Sequence, residues 1–362
     1  MADEFADWDA VETAARIASG EVSSAEVVDA AIERARLWQP RIHAIATETF
    51  ASARAQASEP SAGCFAGVPT FVKDLEDVAG VPTGFGTAAV RGYFAPKTAG
   101  SVAQFLSTGV ISLGKSTTAE FGLTATTEPV HGEPTRNPNH LEHSAGGSSG
   151  GAAALVAARV VPIAHGGDGG GSIRIPAAFN GLVGLKATRG RLANMLSTKR
   201  MPVKIATYGV LTRTVRDTAA FYADVEKRGG GGKLPPVGDV QGPGKEKLRV
   251  GLFVDSPFGH HVHPAVRDAV EATGKRLEGM GHRVEIIAAP YTESLADDFL
   301  LHWGFLAAGV EMAMRLKRGA DPAMLEPWTR GLAGFMRKQW WRVPGAIWRL
   351  KRFPSLYAKS FE

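Results

Sequence analysis

The stretch AHGGDGGGSIRIPAAFNG, residues 164–181, contains six glycines, one aspartate and one serine. Glycine adopts positive φ angles freely, but a flexible linker does not place Ile173 and Ile175 directly after its glycines. Residues 169–171 present three backbone N–H groups beside the Ser172 hydroxyl, at the start of a predicted helix where the dipole favours negative charge. This arrangement suits a nucleophile with an oxyanion hole, a set of N–H donors for the negative oxygen of an intermediate.

Phosphate is the other anion that a glycine-rich turn binds, and the sequence offers two places to test for it. The turn at residues 164–181 lacks a lysine and the G-x-G-x-x-G spacing of dinucleotide sites. Residues 109–116, GVISLGKS, match the P-loop pattern, but the letters VISL read as a strand whose N–H groups are used in a sheet. A P-loop NTPase therefore stays a remote alternative.

A serine nucleophile needs a base, and the residues around Ser172 do not supply one. His165 lies seven residues earlier, a spacing that gives no reason for contact, and we interpret it as structural. The block also lacks the G-x-S-x-G elbow of α/β-hydrolases. The local sequence thus leaves the base open.

Three segments taken together resemble the amidase signature family: GVPTFVKD (67–74), SAGGSSGGAAALVAA (144–158) and GDGGGSIRIPAAFNGLVGLK (167–186). The resemblance implies hydrolysis of a small-molecule amide to carboxylate and amine through a seryl acyl-enzyme, without cofactor or metal. It also implies a mixed central β-sheet covered by helices on both faces. The implied residues are the triad Lys73, Ser148 (preceded by a cis peptide bond) and Ser172, the oxyanion donors Gly169, Gly170 and Gly171, and the supporting Ser149, Asp168 and Arg174.

The implied base sets a condition on the fold. A free lysine titrates near ~10.4, so burial must bring the pKa of Lys73 toward ~7 to 8 for it to accept a proton at neutral pH. Val68, Phe71, Val72 and Leu75 provide apolar neighbours along the chain. Ser148 is expected to relay the proton between Ser172 and this lysine.

Elements along the chain alternate between helix and strand, which predicts an α/β fold. Ser23 and Glu26 have capping-box spacing before a helix over 24–36. Further predictions are a strand within 66–75, a strand at 110–113, a helix after SAGGSSGG, a strand at 160–164 (VVPIA) and, after the linker, a strand at 247–255 and a helix at 264–281. We expect one domain over 1–362, with a catalytic core at about 66–217, a linker at about 229–244 and a helical part at about 260–362.

Composition narrows the class of protein. The 362 residues are 44% hydrophobic, and no signal peptide or long apolar run is visible, so we expect a soluble, cytoplasmic protein. Residues 328–362 carry eight basic residues and one acidic residue, so the rest of the chain has a net charge of −2 and does not suggest nucleic acid binding. The single cysteine, Cys64, is interpreted as a bystander. A homodimer is one arrangement that the sequence allows.

Two further segments invite functional readings. Residues 328–353 mix tryptophans with basic residues, which is typical of contact with an anionic membrane surface, but a partly buried helical pair with a solvated basic face explains them as well. The histidines of GHHVHP, residues 259–264, lack a second ligand cluster, and we interpret His263 as a residue near the helix cap rather than a metal ligand.

Complete members of the resembled family are longer than this chain, and a core strand normally follows a pair such as Phe361-Glu362. The sequence is therefore expected to lack a C-terminal portion, and a catalytically inactive truncated fragment is the alternative function. Ile175 occupies a position where tRNA-dependent members usually have glutamine, which favours a stand-alone amidase.

Overall fold

The computed structural model describes residues 4–59, 62–90, 92–196, 198, 201–230, 232, 234–256, 258–291, 293–316 and 319–361. The chain forms two compact units, the first comprising Met1–Val240 with Ala307–Gly331 and the second Gln241–Leu306 with Leu332–Glu362. The single domain expected from the sequence stays a prediction.

The first unit alternates helices and strands from its beginning. Its helices are α1 (Ala10–Ala18), α2 (Ser24–Ile42), α3 (Phe50–Ala57), α4 (Gly100–Leu106), α5 (Gly150–Ala157), α6 (Arg174–Asn180) and α7 (Val215–Val225). Its strands are β1 (Ile45–Glu48), β2 (Pro69–Lys73), β3 (Ile111–Ser116), β4 (Arg136–Asn137), β5 (His140–Ser144), β6 (Ile163–Asp168), β7 (Val183–Gly184) and β8 (Thr207–Thr212). This order confirms the predicted α/β class.

The central strands form a mixed arrangement. Strand β3 pairs in parallel with β2 and antiparallel with β1, while β8 pairs antiparallel with β6 and β7. Strand β2 lies beside β6, and the Thr70 hydroxyl of β2 donates to the Ile163 carbonyl of β6 at 2.8 Å. The carboxyl end of β2 carries Lys73, and the carboxyl end of β6 carries Asp168. The motif segments that contain these two residues therefore end near each other.

Helices cover both faces of these strands. Along β8, Tyr208 and Val210 pack with residues of α1, α4 and α7, whereas Leu211 packs with α2, α3, α5 and α6. Alternate residues of a strand point to opposite faces, so the apolar side chains of β8 contribute to two cores. The helix after SAGGSSGG, α5, is buried along almost its whole length, which explains its alanine-rich sequence.

Most predicted elements are present with different ends. Helix α2 has the predicted capping box but extends to Ile42, because Ile42 is buried and Gln39 accepts from the N–H groups of the two residues that follow His43. The strand predicted at 160–164 is shifted: β6 runs through two glycines of the opening stretch, Gly166 and Gly167. A Cβ on Gly167 would lie 2.5 Å from the Met195 methyl carbon, so the Met195 side chain would have to move to admit a larger residue at this strand position.

The second unit contains a strand–helix–strand motif. Strands β9 (Arg249–Leu252) and β10 (Arg283–Ile286) are parallel, and α8 (Pro264–Gly279) connects them. His263 caps α8 by accepting from the Ala265 N–H at 3.2 Å, which confirms its interpretation as a cap-region residue.

Longer helices complete the chain. Helices α9 (Glu293–Leu316) and α10 (Pro327–Arg337) each contain residues of both units, and α11 (Val343–Ala358) belongs to the second. Helix α11 buries Leu350 and leaves Trp348 57% exposed, with Arg352 stacked over the indole. Among the helices of the described residues, none combines the length and hydropathy that a bilayer crossing requires. Membrane contact through 328–353 stays untested.

Candidate active site

Lys73 is the last residue of β2 and is completely buried. Its Nζ lies 2.7 Å from Ser148 Oγ, 2.9 Å from Ser149 Oγ and 3.4 Å from the Gly167 carbonyl oxygen. The three contacts fill the hydrogen-bonding positions of an amine nitrogen. The structure therefore brings together three of the residues that the sequence singled out, from segments 75 residues apart.

The surroundings of Lys73 change its protonation. Burial lowers the pKa of Lys73 to about 7, against the opposing effect of the Asp168 and Glu76 carboxylates, which favour the charged amine. Desolvation penalises the ammonium form, so the neutral amine is populated near neutral pH. The condition that the sequence set for a lysine base is met by burial.

Ser148 and Ser149 precede α5, and both side chains are buried. The peptide bond between Gly147 and Ser148 is cis. Ser149 also accepts from the Gly167 N–H at 3.3 Å, so it connects the start of α5 to β6.

Ser172 follows the turn at the end of β6. The Ser149 N–H donates to the Ser172 carbonyl at 3.2 Å, which places the two backbones side by side. Ser172 is 8% exposed, and its hydroxyl makes no hydrogen bond to another described residue. Gly171, directly before it, has φ 130°, a conformation that side-chain-bearing residues rarely adopt.

Asp168 and Arg174 form a bidentate ion pair behind this turn. The Arg174 guanidinium donates to the two carboxylate oxygens at 2.9 and 3.0 Å, and the Gly171 and Ile173 N–H groups donate to the same carboxylate. Burial alone raises the pKa of Asp168, but these bonds outweigh it and hold the pKa below its usual value. The ion pair and the two N–H bonds fix the backbone on both sides of Ser172.

The three predicted oxyanion donors are not equivalent. The Gly171 N–H donates to Asp168 Oδ1 at 2.8 Å and is therefore engaged. The N–H groups of Gly169, Gly170 and Ser172 donate to no other group of the described residues. Sequence reasoning missed the N–H of Ser172 itself, although a nucleophile's own amide is always next to its hydroxyl.

Glu76 is another residue that sequence reasoning missed. It is completely buried three residues after Lys73, and burial raises the pKa of its carboxyl to about 6. The signal in the sequence was the acidic run D-L-E-D directly after a strand of buried residues. A carboxylate in that position is in a low-dielectric region with the lysine.

The decoy motifs have structural roles. Residues of the P-loop pattern lie in β3, where the Ile111 N–H donates to Val68. Lys115 is buried and its Nζ lies 3.1 Å from Asp74 Oδ1. His165 is completely buried and stacks on Tyr208, with ring centroids 5.3 Å apart. Among the described residues there is no group of three or more His, Cys, Asp or Glu side chains arranged to hold a metal ion.

The model of the family described as Amidase matches residues 26–337. The chain belongs to the amidase family. Its sequence is 45% identical to the putative amidase AmiC of Mycobacterium leprae over 366 residues, covering 99% of this chain and 77% of the relative. It is 36% identical to the 6-aminohexanoate-cyclic-dimer hydrolase of Paenarthrobacter ureafaciens, covering 86% of this chain and 65% of that one.

Solved structures of amidases agree with the fold. A 6-aminohexanoate cyclic dimer hydrolase, complexed with its substrate, superimposes with a TM-score of 0.84 at 29% identity and covers 99% of this chain and 77% of its own. A bacterial aryl acylamidase of the amidase signature family gives a TM-score of 0.82 at 25% identity, covering 96% and 76%. The predicted fold and family are confirmed, and the chain is a hydrolase of amide bonds.

Proposed function

We propose that this amidase cleaves its substrate through an acyl-enzyme on Ser172, with Ser148 as proton relay and Lys73 as base. The observation that carries the proposal is the 2.7 Å contact between Lys73 Nζ and Ser148 Oγ in a site where both side chains are buried. A buried lysine with a pKa of about 7 and a serine as its nearest partner can accept and return a proton at neutral pH.

In the first half-reaction, Ser172 Oγ attacks the carbonyl carbon of the amide. Its proton passes to Ser148 Oγ as the proton of Ser148 passes to Lys73 Nζ, so the carbonyl oxygen of the tetrahedral intermediate carries the negative charge. The carbon–nitrogen bond then breaks, and the proton returns through Ser148 to the leaving nitrogen. The amine departs and the acyl group stays on Ser172.

In the second half-reaction, water attacks the acyl carbon and gives its proton to the same relay. The ester bond to Ser172 Oγ breaks, the serine oxygen takes the proton back, and the carboxylic acid leaves. The charge balance requires only Lys73 and Ser148 to move protons.

Three amides of the glycine turn are proposed to stabilise the oxyanion: those of Gly169, Gly170 and Ser172. The Gly171 amide, the other donor expected from the sequence, is proposed to hold the turn through Asp168 instead. Losing one oxyanion donor typically costs about 10² to 10³ in rate.

The names of the relatives suggest the first substrates to assay. The 6-aminohexanoate cyclic dimer represents cyclic amides, and an aryl acylamide represents open-chain amides. We propose that the substrate is a small carboxamide of one of these two kinds. The cytoplasmic location stays a prediction.

Labelling with a fluorophosphonate tests the nucleophile directly. Ser172 Oγ should form a bond to phosphorus with loss of fluoride, and mass spectrometry of the digested protein should find the adduct on the peptide that contains Ser172. Ser172→Ala should remove the label. Ser144→Ala serves as the control, because Ser144 lies in the 144–158 motif segment and its hydroxyl only accepts from the Gly146 N–H.

Circular dichroism accompanies the labelling so that loss of folding is not mistaken for loss of the site. A folded wild-type protein that takes no label, or a label that persists in Ser172→Ala, contradicts the proposed nucleophile.

A further inference from the structure

Glu76 lies in the turn that follows β2. Its N–H donates to the Lys73 carbonyl at 3.2 Å, which closes a tight turn between the two residues. The carboxylate is completely buried, and a buried carboxylate is stable only where donors satisfy it. The mechanism proposed above assigns no role to this residue.

The Glu76 carboxylate joins two other parts of the first unit. The hydroxyl of Ser101, in the first turn of α4, donates to Oε2. The N–H of Leu196 donates to both carboxylate oxygens at 3.2 Å from a segment 120 residues away. A side chain with these bonds fixes the backbone at Leu196 relative to the end of β2.

The anchored segment reaches the base through one intermediate contact. Met195, next to Leu196, packs against Gly167 of β6, where an added Cβ would lie 2.5 Å from the Met195 methyl carbon. The carbonyl of Gly167 is in turn a partner of Lys73 Nζ at 3.4 Å. Glu76 therefore holds the segment that packs against Gly167, the residue whose carbonyl contacts Lys73 Nζ.

Charge gives the second connection. The Glu76 carboxylate favours the charged form of Lys73, and Lys73 favours the carboxylate in return. Asp168 raises the pKa of Lys73 more than Glu76 does, and it also forms an ion pair with Arg174. No cation of the described residues forms an ion pair with Glu76.

Other titratable groups lie around Glu76 and Lys73. Asp77, beside Glu76, disfavours its ionisation, while Glu76 favours the charged form of Lys115. His165 is buried with a pKa of about 3, mainly because of desolvation, and is neutral at the pH of interest. The negative charges that act on Lys73 are therefore those of Glu76 and Asp168.

We propose that Glu76 is a positioning residue of the hydrolysis, which anchors the backbone at Leu196 and places a buried carboxylate in the turn directly after Lys73. The inference rests on the proposed role of Lys73 as base. Through its charge Glu76 contributes to the pH above which Lys73 accepts the proton of Ser148, so this lower pH limit of activity is higher than it would be without Glu76.

The test is the pH dependence of fluorophosphonate labelling at Ser172 between pH 5 and 9 in three variants. The wild-type rate should rise through a midpoint near 7, the pKa of Lys73. Glu76→Gln removes the charge but keeps one acceptor oxygen, which at the Oε2 position can bond both Ser101 and Leu196, so its midpoint should fall by about 1 pH unit. Glu76→Asp keeps the charge and should keep the midpoint, with a slower rate because the shorter side chain loses its reach to Leu196.

Asp77→Asn is the matched control, since Asp77 is a buried neighbour whose charge acts on Glu76. Its midpoint should not fall, because loss of the Asp77 charge favours the ionised form of Glu76 and Asp77 does not act on Lys73 itself. An unchanged midpoint in Glu76→Gln, or an equal fall in Asp77→Asn, overturns the inference while labelling at Ser172 still supports the proposed function. Absence of label in the folded wild type refutes the proposed function instead, and melting curves establish that each variant is folded.

Discussion

Two lysines are buried on neighbouring strands, and their surroundings differ. Lys115 on β3 has its Nζ 3.1 Å from Asp74 Oδ1 and 3.2 Å from Thr83 Oγ1. Lys73 on β2 contacts two hydroxyls and a carbonyl, and no carboxylate of the described residues forms an ion pair with it. The two residues are almost opposite in the parallel register, where Lys73 pairs with Ser116 and Val72 with Lys115.

This difference in hydrogen-bonding partners distinguishes a lysine with a structural role, Lys115, from the proposed base, Lys73. Burial lowers the pKa of both groups, but the adjacent Asp74 carboxylate counteracts the effect for Lys115. A carboxylate beside a lysine stabilises the ammonium form and raises the pKa, so the lysine loses its proton less readily. A lysine with only neutral partners can be neutral and can take a proton from a hydroxyl, so the partner, rather than the burial, distinguishes the two.

Replacing the unpaired lysine should have the largest effect on activity. Lys73→Met places an apolar side chain of similar length in the same buried position, so the fold is expected to persist. Loss of the base should lower kcat/KM by at least about 10³-fold, within the range for a positioned acid–base group. Steady-state kinetics on a relative's substrate measures the loss, and activity within tenfold of wild type contradicts the assignment.

Replacing the paired lysine, Lys115, should instead lower the stability of the fold and leave the activity nearly unchanged. Lys115→Met leaves Asp74 buried without its cation, which should lower the free energy of unfolding by about 3 to 5 kcal/mol. The activity of the folded fraction should stay within a few-fold of wild type. Urea unfolding measures the change.

The double variant Lys115→Met/Asp74→Asn is the control for this pair. It removes the uncompensated charge and should recover part of the lost stability. A single variant as stable as the wild type contradicts the structural role of the Lys115–Asp74 pair.

The sequence predicted the parts of the site that motifs carry. Lys73, Ser148 and Ser149 lie together as expected, because short segments with fixed spacing determine which strand ends and helix starts present them. The capping box of α2 is a local pattern as well, and it formed as predicted.

The sequence could not predict the features that depend on distant contacts. The strand character of Gly166 and Gly167 requires β8 as a partner and Met195 as a neighbour. The bond from the Leu196 N–H to Glu76 joins residues 120 positions apart, and no periodicity encodes it. Engagement of the Gly171 amide depends on the rotamer of Asp168, so three adjacent glycines read as three equal donors until the structure separates them.

The smallest expected effect is the dependence of stability on pH that Lys73 contributes. The pKa of Lys73 is about 7 in the folded protein and 10.5 for the unperturbed group. Between these values the unfolded chain binds more protons, so the stability contribution of Lys73 is complete above 10.5 and is lost as pH falls to about 7. The difference in unfolding free energy between wild type and Lys73→Met should therefore grow by about 1.4 kcal/mol per pH unit from neutral pH upward. Lys97→Met, at an exposed position, provides the baseline. A difference that stays constant from pH 7.5 to 9.5 contradicts a neutral Lys73 and removes the distinction between the two buried lysines.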